Sequence, residues 1–296
     1  MPTNVRSGFV AVAGKPNAGK STLLNRLVGQ KLAIISPKPQ STRNRVTGIL
    51  TRHDAQIVLL DAPGLLDPRY ALQEAMRRHA LTAIRDADVV LHLIDATEPS
   101  PASLAEAAGL DHPPAAPVLV VLNKIDSVRD AQRVALAESF PDALLISATT
   151  GEGVESLLDR VTSLLPESPF LYDPEDISAQ HLRFFASELV RETALEQLDD
   201  EVPYALACVI EEFREDRSPV YIRAVMFVER ESQKRIVIGH RGARIRAIGT
   251  VARQKIEGLV GAPVYLDLWV KVLPNWRRDK GAVKRLGYGT TEEHGS

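Results

Sequence analysis

The sequence predicts two modules in series: a doubly wound α/β sheet with helices on both faces, then a smaller α+β domain. Three observations carry this reading. From Phe9 to Leu165, short apolar runs alternate with helix-like segments, and polar signatures stand at the carboxyl ends of the runs, where open α/β sheets gather their ligands. Pro166, Pro169 and Pro174 then interrupt the chain, as semi-rigid linkers do. Beyond them the order changes to a long helical segment, two β-patterned stretches, a Gly-x-x-Gly turn, a helix and a last strand. The boundaries read as residues 1–168 for the first domain, 169–176 for the linker, 177–280 for the second domain and 281–296 for a mobile tail rich in Gly and charge.

A chain of 296 residues with 45% hydrophobic content can fill a core in each domain. The N-terminus has no leader pattern and no apolar stretch is long enough to span a bilayer, so a cytoplasmic protein is expected. Cys208 is the single cysteine and excludes an internal disulfide; its place in the alternation Tyr204, Leu206, Cys208, Ile210 marks it as buried strand filler. The net charge of −2 is unevenly spread. Between Arg230 and Lys255 eight Lys/Arg face the single acid Glu231, whereas Leu171 to Asp200 holds eight acids against Arg183 and Arg191. A basic face on a near-neutral chain implies a polyanionic partner at one end.

The first element in order is the apolar strand Phe9 to Ala13, followed by Gly14-Lys15-Pro16-Asn17-Ala18-Gly19-Lys20-Ser21 and a helix from Thr22 to Leu27. This is a P-loop in its required strand-loop-helix setting. Gly14 and Gly19 let successive backbone N–H groups curl around one anion at the helix N-terminus, with Asn17, Ala18 and Thr22 completing the cradle. Lys20 brings a cation to the β- and γ-phosphates, and the Ser21 hydroxyl is placed to ligate Mg²⁺.

Residues 32–44 read as an exposed loop that carries Gln40-Ser41-Thr42-Arg43. The runs Val46 to Thr51 and Ala55 to Leu60 form a hairpin, and the second ends in Asp61-Ala62-Pro63-Gly64. A carboxylate at the end of a buried strand, with Gly three residues on, suits a hold on Mg²⁺ and a Gly amide facing the γ-phosphate. A helix over 70–85, a strand Val89 to Ile94, a helix over 101–110 and a strand Val118 to Leu122 lead to Asn123-Lys124-Ile125-Asp126. Guanine displays N1–H and an exocyclic amine, and the Asp126 carboxylate can accept from both. Adenine offers no such pair, so a carboxylate left unpaired there discriminates strongly. Asn123 serves the other base edge and the Lys124 stem lies along the base. After a helix over 127–139, Leu144 to Ile146 leads into Ser147-Ala148, where a backbone amide reaches the guanine oxygen, and Val154 to Leu165 closes the domain. The set predicts guanine-nucleotide binding.

Hydrolysis is less directly written. Leu65 and Leu66 follow Gly64 where a water-orienting Gln would be useful, and an aliphatic side chain cannot polarise water. Either turnover is slow or another element supplies charge. The Asn17 amide oxygen suits a monovalent cation such as K⁺ beside the phosphates; the bland alternative is an Asx-type bond that stabilises the loop.

In the second module, Ile177 to Leu198 reads as a long helix and Tyr204 to Phe213 and Val220 to Glu229 as strands. Ile236-Val237-Ile238 then runs into Gly239-His240-Arg241-Gly242, a helix from Ala243 to about Leu259, and a strand Tyr265 to Leu273. Two glycines allow close approach to a phosphodiester chain, and the helix N-terminus that follows favours phosphates. His240, Arg241, Arg244 and Arg246 add donors and charge, while Ile238 and Ile248 are placed to line a base groove. Tyr265 and Trp269 read as core. Trp276-Arg277-Arg278 either contacts RNA or covers the domain edge.

The P-loop, the Gln40 to Arg43 switch, Asp61-Ala62-Pro63-Gly64, Asn123-Lys124-Ile125-Asp126, Ser147-Ala148 and the C-terminal Gly-x-x-Gly, in this order, closely resemble the Era GTPase family over nearly the whole chain. The resemblance implies a P-loop GTPase domain followed by a type II KH domain that binds the 3′ end of small-subunit (16S) ribosomal RNA and assists assembly of the 30S subunit. It implies GTP/GDP and Mg²⁺ as ligands, with Lys20 and Ser21 on phosphate and metal, Thr42 on Mg²⁺, Asp61 and Gly64 in the second switch, and Gly239 to Gly242 on RNA. It also brings the expectation of a monomer with weak peripheral membrane association, although the sequence supplies no stable anchor. The pattern is departed from at three places: Ala62 where Thr is frequent, Ser41 for a Thr, and the stretch Leu66-Asp67-Pro68 without the His and Lys often seen there. The rival reading is an RNA-binding assembly scaffold in which GTP is a structural ligand with little turnover.

Overall fold

The structure, a computed structural model, describes residues 5–38, 40–100 and 102–289. The chain divides into two compact units, one made of residues 1–68 and 76–179 and the other of residues 69–75 and 180–296.

The first unit is built in the order β1 (Arg6–Ala13), α1 (Lys20–Val28), β2 (Val46–Thr51), β3 (Ala55–Asp61), α2 (Ala71–Asp86), β4 (Val89–Asp95), α3 (Leu104–Ala108), β5 (Val118–Asn123), α4 (Asp130–Ser139), β6 (Leu144–Leu145) and α5 (Val154–Leu164). Its six strands stand in the order β2-β3-β1-β4-β5-β6. Only β2 runs antiparallel, paired with β3. Helices cover both faces, so the interior strands are nearly continuous apolar runs: all 7 residues of β3 are buried. The winding direction reverses between β1 and β4, and the Gly14 to Gly19 turn leaves β1 at that point, the place where such sheets take their ligands.

The proline-marked segment is bonded to this sheet. Ser7 Oγ donates to Pro169 O at 2.5 Å, and the fully buried Gln56 accepts from Leu171 N at 2.8 Å while donating to Tyr172 O at 3.0 Å. Ile49 N donates to Ile177 O at 2.9 Å and Ser178 Oγ to Thr47 O at 2.5 Å. With 177 and 178 held in this way along β2, the long helix α6 (Leu182–Gln197) starts later than its apolar periodicity suggests.

The second unit continues with β7 (Ala207–Arg214), β8 (Val220–Val228), α7 (Glu231–Ile238), α8 (Ala243–Val260), β9 (Val264–Val272) and α9 (Lys280–Val283). Its sheet has the order β7-β8-β9, with β8 and β9 parallel. Alternate residues of β8, Ile222, Ala224, Met226 and Val228, pack with Ala186 and Val190 of α6 and with Ile248, Ala252 and Ile256 of α8. Cys208 is buried on β7, and burial holds its thiol far above the ordinary range, in keeping with a filler role.

The stretch before Gly239, to which the sequence reading assigns no element, is the helix α7; its start is fixed by Gln233 Oε1, which accepts from Glu229 N at 2.9 Å and Arg230 N at 3.1 Å. Three expectations change here. Tyr265 and Trp269 are 59% and 54% exposed, because the helices cover one face of the sheet and these side chains stand on the other. Ile248 is fully buried in the core and lines no groove. The tail expected from residue 281 begins with helical turns through Tyr288, and Tyr288 is buried with its ring 5.7 Å from that of Trp276. Residues 290–296 of that tail lie outside the described residues. Among the described residues no helix is long and apolar enough to cross a membrane.

Candidate nucleotide site and nucleic-acid interface

The phosphate end of the site starts from Gly19, the N-cap of α1. Its φ of 95° is left-handed, and a Cβ there would stand 2.2 Å from Asn123 Nδ2, so both conformation and space require glycine. No side chain caps this helix, which leaves its first amides directed at the turn. Lys20 is buried, with Nζ donating to Lys15 O at 2.8 Å and Gly14 O at 3.2 Å. Burial lowers its ammonium pKa to about 8, against the pull of Asp61.

Ser21, Thr42 and Asp61 come from α1, the loop before β2 and the end of β3. Ser21 Oγ donates to Asp61 Oδ2 at 2.7 Å and lies 2.9 Å from Thr42 Oγ1. Asp61 is fully buried; burial raises its pKa to about 6, opposed by Lys20, Ser21 and Thr42, and its Oδ1 accepts no hydrogen bond. Three hard oxygens, one of them an orphaned carboxylate oxygen, meet the requirements of a Mg²⁺ site. Beside them lies a cavity of about 370 Å³ lined by Asn17, Gly19, Lys20, Thr22, Gly64 and Lys124, among others. Asn17 Nδ2 donates to Pro37 O at 3.2 Å. Leu65 N donates to Gly14 O at 3.0 Å while the Leu65 side chain is buried; Leu66 faces the cavity.

At the base end, Asn123 is the hub. Its Nδ2 donates to Ala18 O at 2.9 Å and its Oδ1 accepts from Ala148 N at 2.9 Å, which joins the phosphate turn to the Ser147-Ala148 turn. Ser147 Oγ donates to Asp126 Oδ1 at 2.5 Å. Lys124 adopts φ 70° and its Nζ lies 2.6 Å from Asp95 Oδ2. Burial works against the Asp95 carboxylate, but Lys124 and Thr97 hold its pKa below the ordinary value. Sequence reasoning missed Asp95, which closes β4 in register with Asn123 on β5, a pairing that only the sheet order reveals. It also missed Arg133, which donates to Ile125 O at 2.6 Å and Glu152 Oε1 at 2.9 Å and so braces the loop after Asp126.

In the second unit the Gly-x-x-Gly turn joins α7 to α8. Gly239 ends α7 at φ 72°, and a Cβ there would stand 2.7 Å from Arg244 Cβ, while Arg241 takes φ 49°. His240, Arg241, Arg244 and Arg246 are exposed. Two of them also brace the turn: Arg246 Nη2 donates to Arg241 O at 2.8 Å and Arg244 Nη1 to Ile236 O at 3.3 Å. Ile238 is half-buried against the core, and Ile236, two residues earlier, is 40% exposed. Not every cation counted in the basic stretch is available. Lys255 reaches Glu192 and Glu196, and Arg253 pairs with Glu257. Trp276 is fully buried with Nε1 donating to Ala205 O at 2.8 Å, and Arg277 Nη2 lies 2.6 Å from Glu229 Oε2, so this pair closes the domain edge. Arg278 is exposed.

A glycine turn at an uncapped helix N-terminus, a gathered set of metal-type oxygens and a buried Asn123 hub beside one cavity have the form of a GTPase site, here joined to a KH-type fold. Comparison with known proteins bears this out. The family described as "50S ribosome-binding GTPase" matches residues 9–124, and the KH domain family matches residues 201–277. GTPase Era of Lactobacillus delbrueckii subsp. bulgaricus is 41% identical over 294 residues, covering 97% of this chain and 97% of that protein. A solved structure of Era in complex with MgGDPNP and nucleotides 1506–1542 of 16S ribosomal RNA superposes with a TM-score of 0.90 at 40% identity, over 97% of this chain and 100% of the other. A tyrosine-to-alanine variant of Aquifex aeolicus Era bound to GDP·AlF4⁻ gives a TM-score of 0.89 at 39% identity, over 97% and 100%. The chain belongs to the Era family of GTPases.

Proposed function

We propose that this GTPase binds the 3′ end of 16S ribosomal RNA through its KH domain, that its nucleotide state sets how tightly it does so, and that it acts in the cytoplasm as a monomer during 30S subunit assembly. The observation that carries the reading is the Gly239 to Gly242 turn at the head of α8 with exposed Arg241, Arg244 and Arg246 on and just after it, in a chain whose relative was crystallised with that RNA. Association with membranes is at most peripheral and weak.

Within the first unit, Lys20 and the α1 N-terminus hold the β- and γ-phosphates, and Ser21, Thr42 and Asp61 hold Mg²⁺, directly or through water. The metal neutralises charge on the phosphates when bound. Gly64 presents its amide to the γ-phosphate. Asp126 and Asn123 read the base, Lys124 lies along it, and Ala148 N–H meets its oxygen. With its amide nitrogen on Pro37 O, Asn17 presents its oxygen to K⁺, which supplies the charge that aliphatic Leu65 and Leu66 cannot. K⁺ is expected to raise GTP turnover over Na⁺ at equal ionic strength, and equal rates would remove K⁺ from the account.

Arg241→Glu tests the RNA assignment. A single-stranded oligonucleotide matching the 3′ end of 16S rRNA should bind this variant about tenfold or more weakly while GTP affinity stays unchanged. Unchanged RNA affinity would refute the site.

A further inference from the structure

Arg26 lies in the last turn of α1, outside every sequence motif of the site. The side chain is exposed, yet it crosses to the turn after β6, where Nε donates to Ala148 O at 2.5 Å and Nη2 donates to Thr149 O. The guanidinium also lies against Gly151, where an added Cβ would stand 3.0 Å from Nη1. Two successive carbonyls held by one planar fork leave the dihedrals between them little freedom. Ala148 is the residue whose N–H is the proposed donor to the guanine oxygen, and in this structure that N–H is already aimed at the Asn123 side chain.

We propose that Arg26 is a positioning residue for guanine recognition: it fixes the Ser147–Thr149 turn from the phosphate-binding helix, so that Ala148 N–H is held where the base oxygen arrives. The claim rests on the base-site reading given above. It ties the two ends of the site through a second path, independent of Asn123, because α1 carries Lys20 and Ser21 at one end and Arg26 at the other. Lysine at position 26 could engage one carbonyl but not both.

The test compares GDP with 6-thio-GDP, in which a weak sulfur acceptor replaces the oxygen that Ala148 N–H is to meet, by competition against a fluorescent GDP analogue. Arg26→Ala should weaken GDP binding by about tenfold, the loss of a charge-assisted hydrogen bond, and should narrow the preference for GDP over 6-thio-GDP. Arg26→Lys should fall between the two, with thermal stability close to that of the parent in both variants. Equal weakening of both nucleotides, or no weakening, would overturn the proposal by reducing Arg26 to a structural brace. Asp126→Asn serves as the independent check of the base site, since xanthine carries an oxygen where guanine carries its amine and Asn can donate to it. If that variant fails to shift preference from GDP to XDP, the base-site reading falls; if it shifts while Arg26 variants keep the 6-thio-GDP ratio, only the Arg26 assignment falls.

Discussion

The two sites of this protein are made in opposite ways. At the nucleotide site the polar atoms are buried and bonded to one another before any ligand is considered: Lys20 to the P-loop carbonyls, Ser21 to Asp61, Asn123 to both Ala18 and Ala148. At the Gly239 to Gly242 turn the side chains proposed to meet RNA stand in solvent, and the backbone shape is held by Gly239 and by Arg244 and Arg246 reaching back to carbonyls. A buried, interlocked site fails with the loss of one partner, because the others are left unsatisfied. An exposed site of several cations loses affinity in increments, each cation contributing separately and in a salt-dependent way.

The largest expected effect lies outside both sites and separates fold from function in the second unit. Trp276→Ala empties a fully buried position and breaks the bond to Ala205, at a cost of about 3–5 kcal/mol measured by urea unfolding. If instead the variant kept its stability and lost RNA affinity, Trp276 would belong to the interface. Next in size, Lys20→Ala removes the buried ammonium beside Asp61 and should weaken GTP binding by about 3 kcal/mol, more than a hundredfold, by calorimetry. A loss under tenfold would mean that the interlocking carries little of the affinity. Arg246→Gln should be gentler, several-fold in RNA affinity, with the slope of log affinity against log salt reduced by roughly 0.7 as one cation leaves a single-stranded complex. A loss independent of salt would make its role the bracing of the turn alone.

The smallest effect concerns His92 on β4. Its side chain is buried in a cavity with Lys15, Asp95 and Glu98, and burial, then Lys15, pushes its pKa below 6.5. The unfolded chain therefore binds the proton more readily, and stability should decline as pH falls from about 6.5 toward the lower folded-state value. His92→Phe should flatten that decline in thermal melts; an unchanged slope would place the sensitivity in another group.

What the sequence revealed follows the same division. The P-loop, Asp61 to Gly64 and Asn123 to Asp126 are legible because phosphate, metal and guanine each demand fixed residue types at strand ends, and the strands that deliver them are apolar runs. Asp95, Arg133 and Arg26 were not legible: each acts by reaching a backbone carbonyl or a partner that only the sheet order and the return of α1 bring close. The helix α7 was hidden by Ile236-Val237-Ile238, a β-branched run whose helical state is set by Gln233 at its start and by Val237 entering the core. Tyr265 and Trp269 were misplaced because alternation along β9 does not reveal which face the helices cover. Trp276 read ambiguously beside two arginines, and only its burial against Tyr288 and its bond to Ala205 decide its role.

The central claim is that these two differently built sites communicate. GTP turnover in K⁺ buffer, with and without a single-stranded RNA matching the 3′ end of 16S rRNA, tests it most directly. Stimulation by that RNA, absent with a scrambled sequence and diminished in Arg241→Glu, is the predicted result; tight RNA binding with turnover unchanged would contradict it.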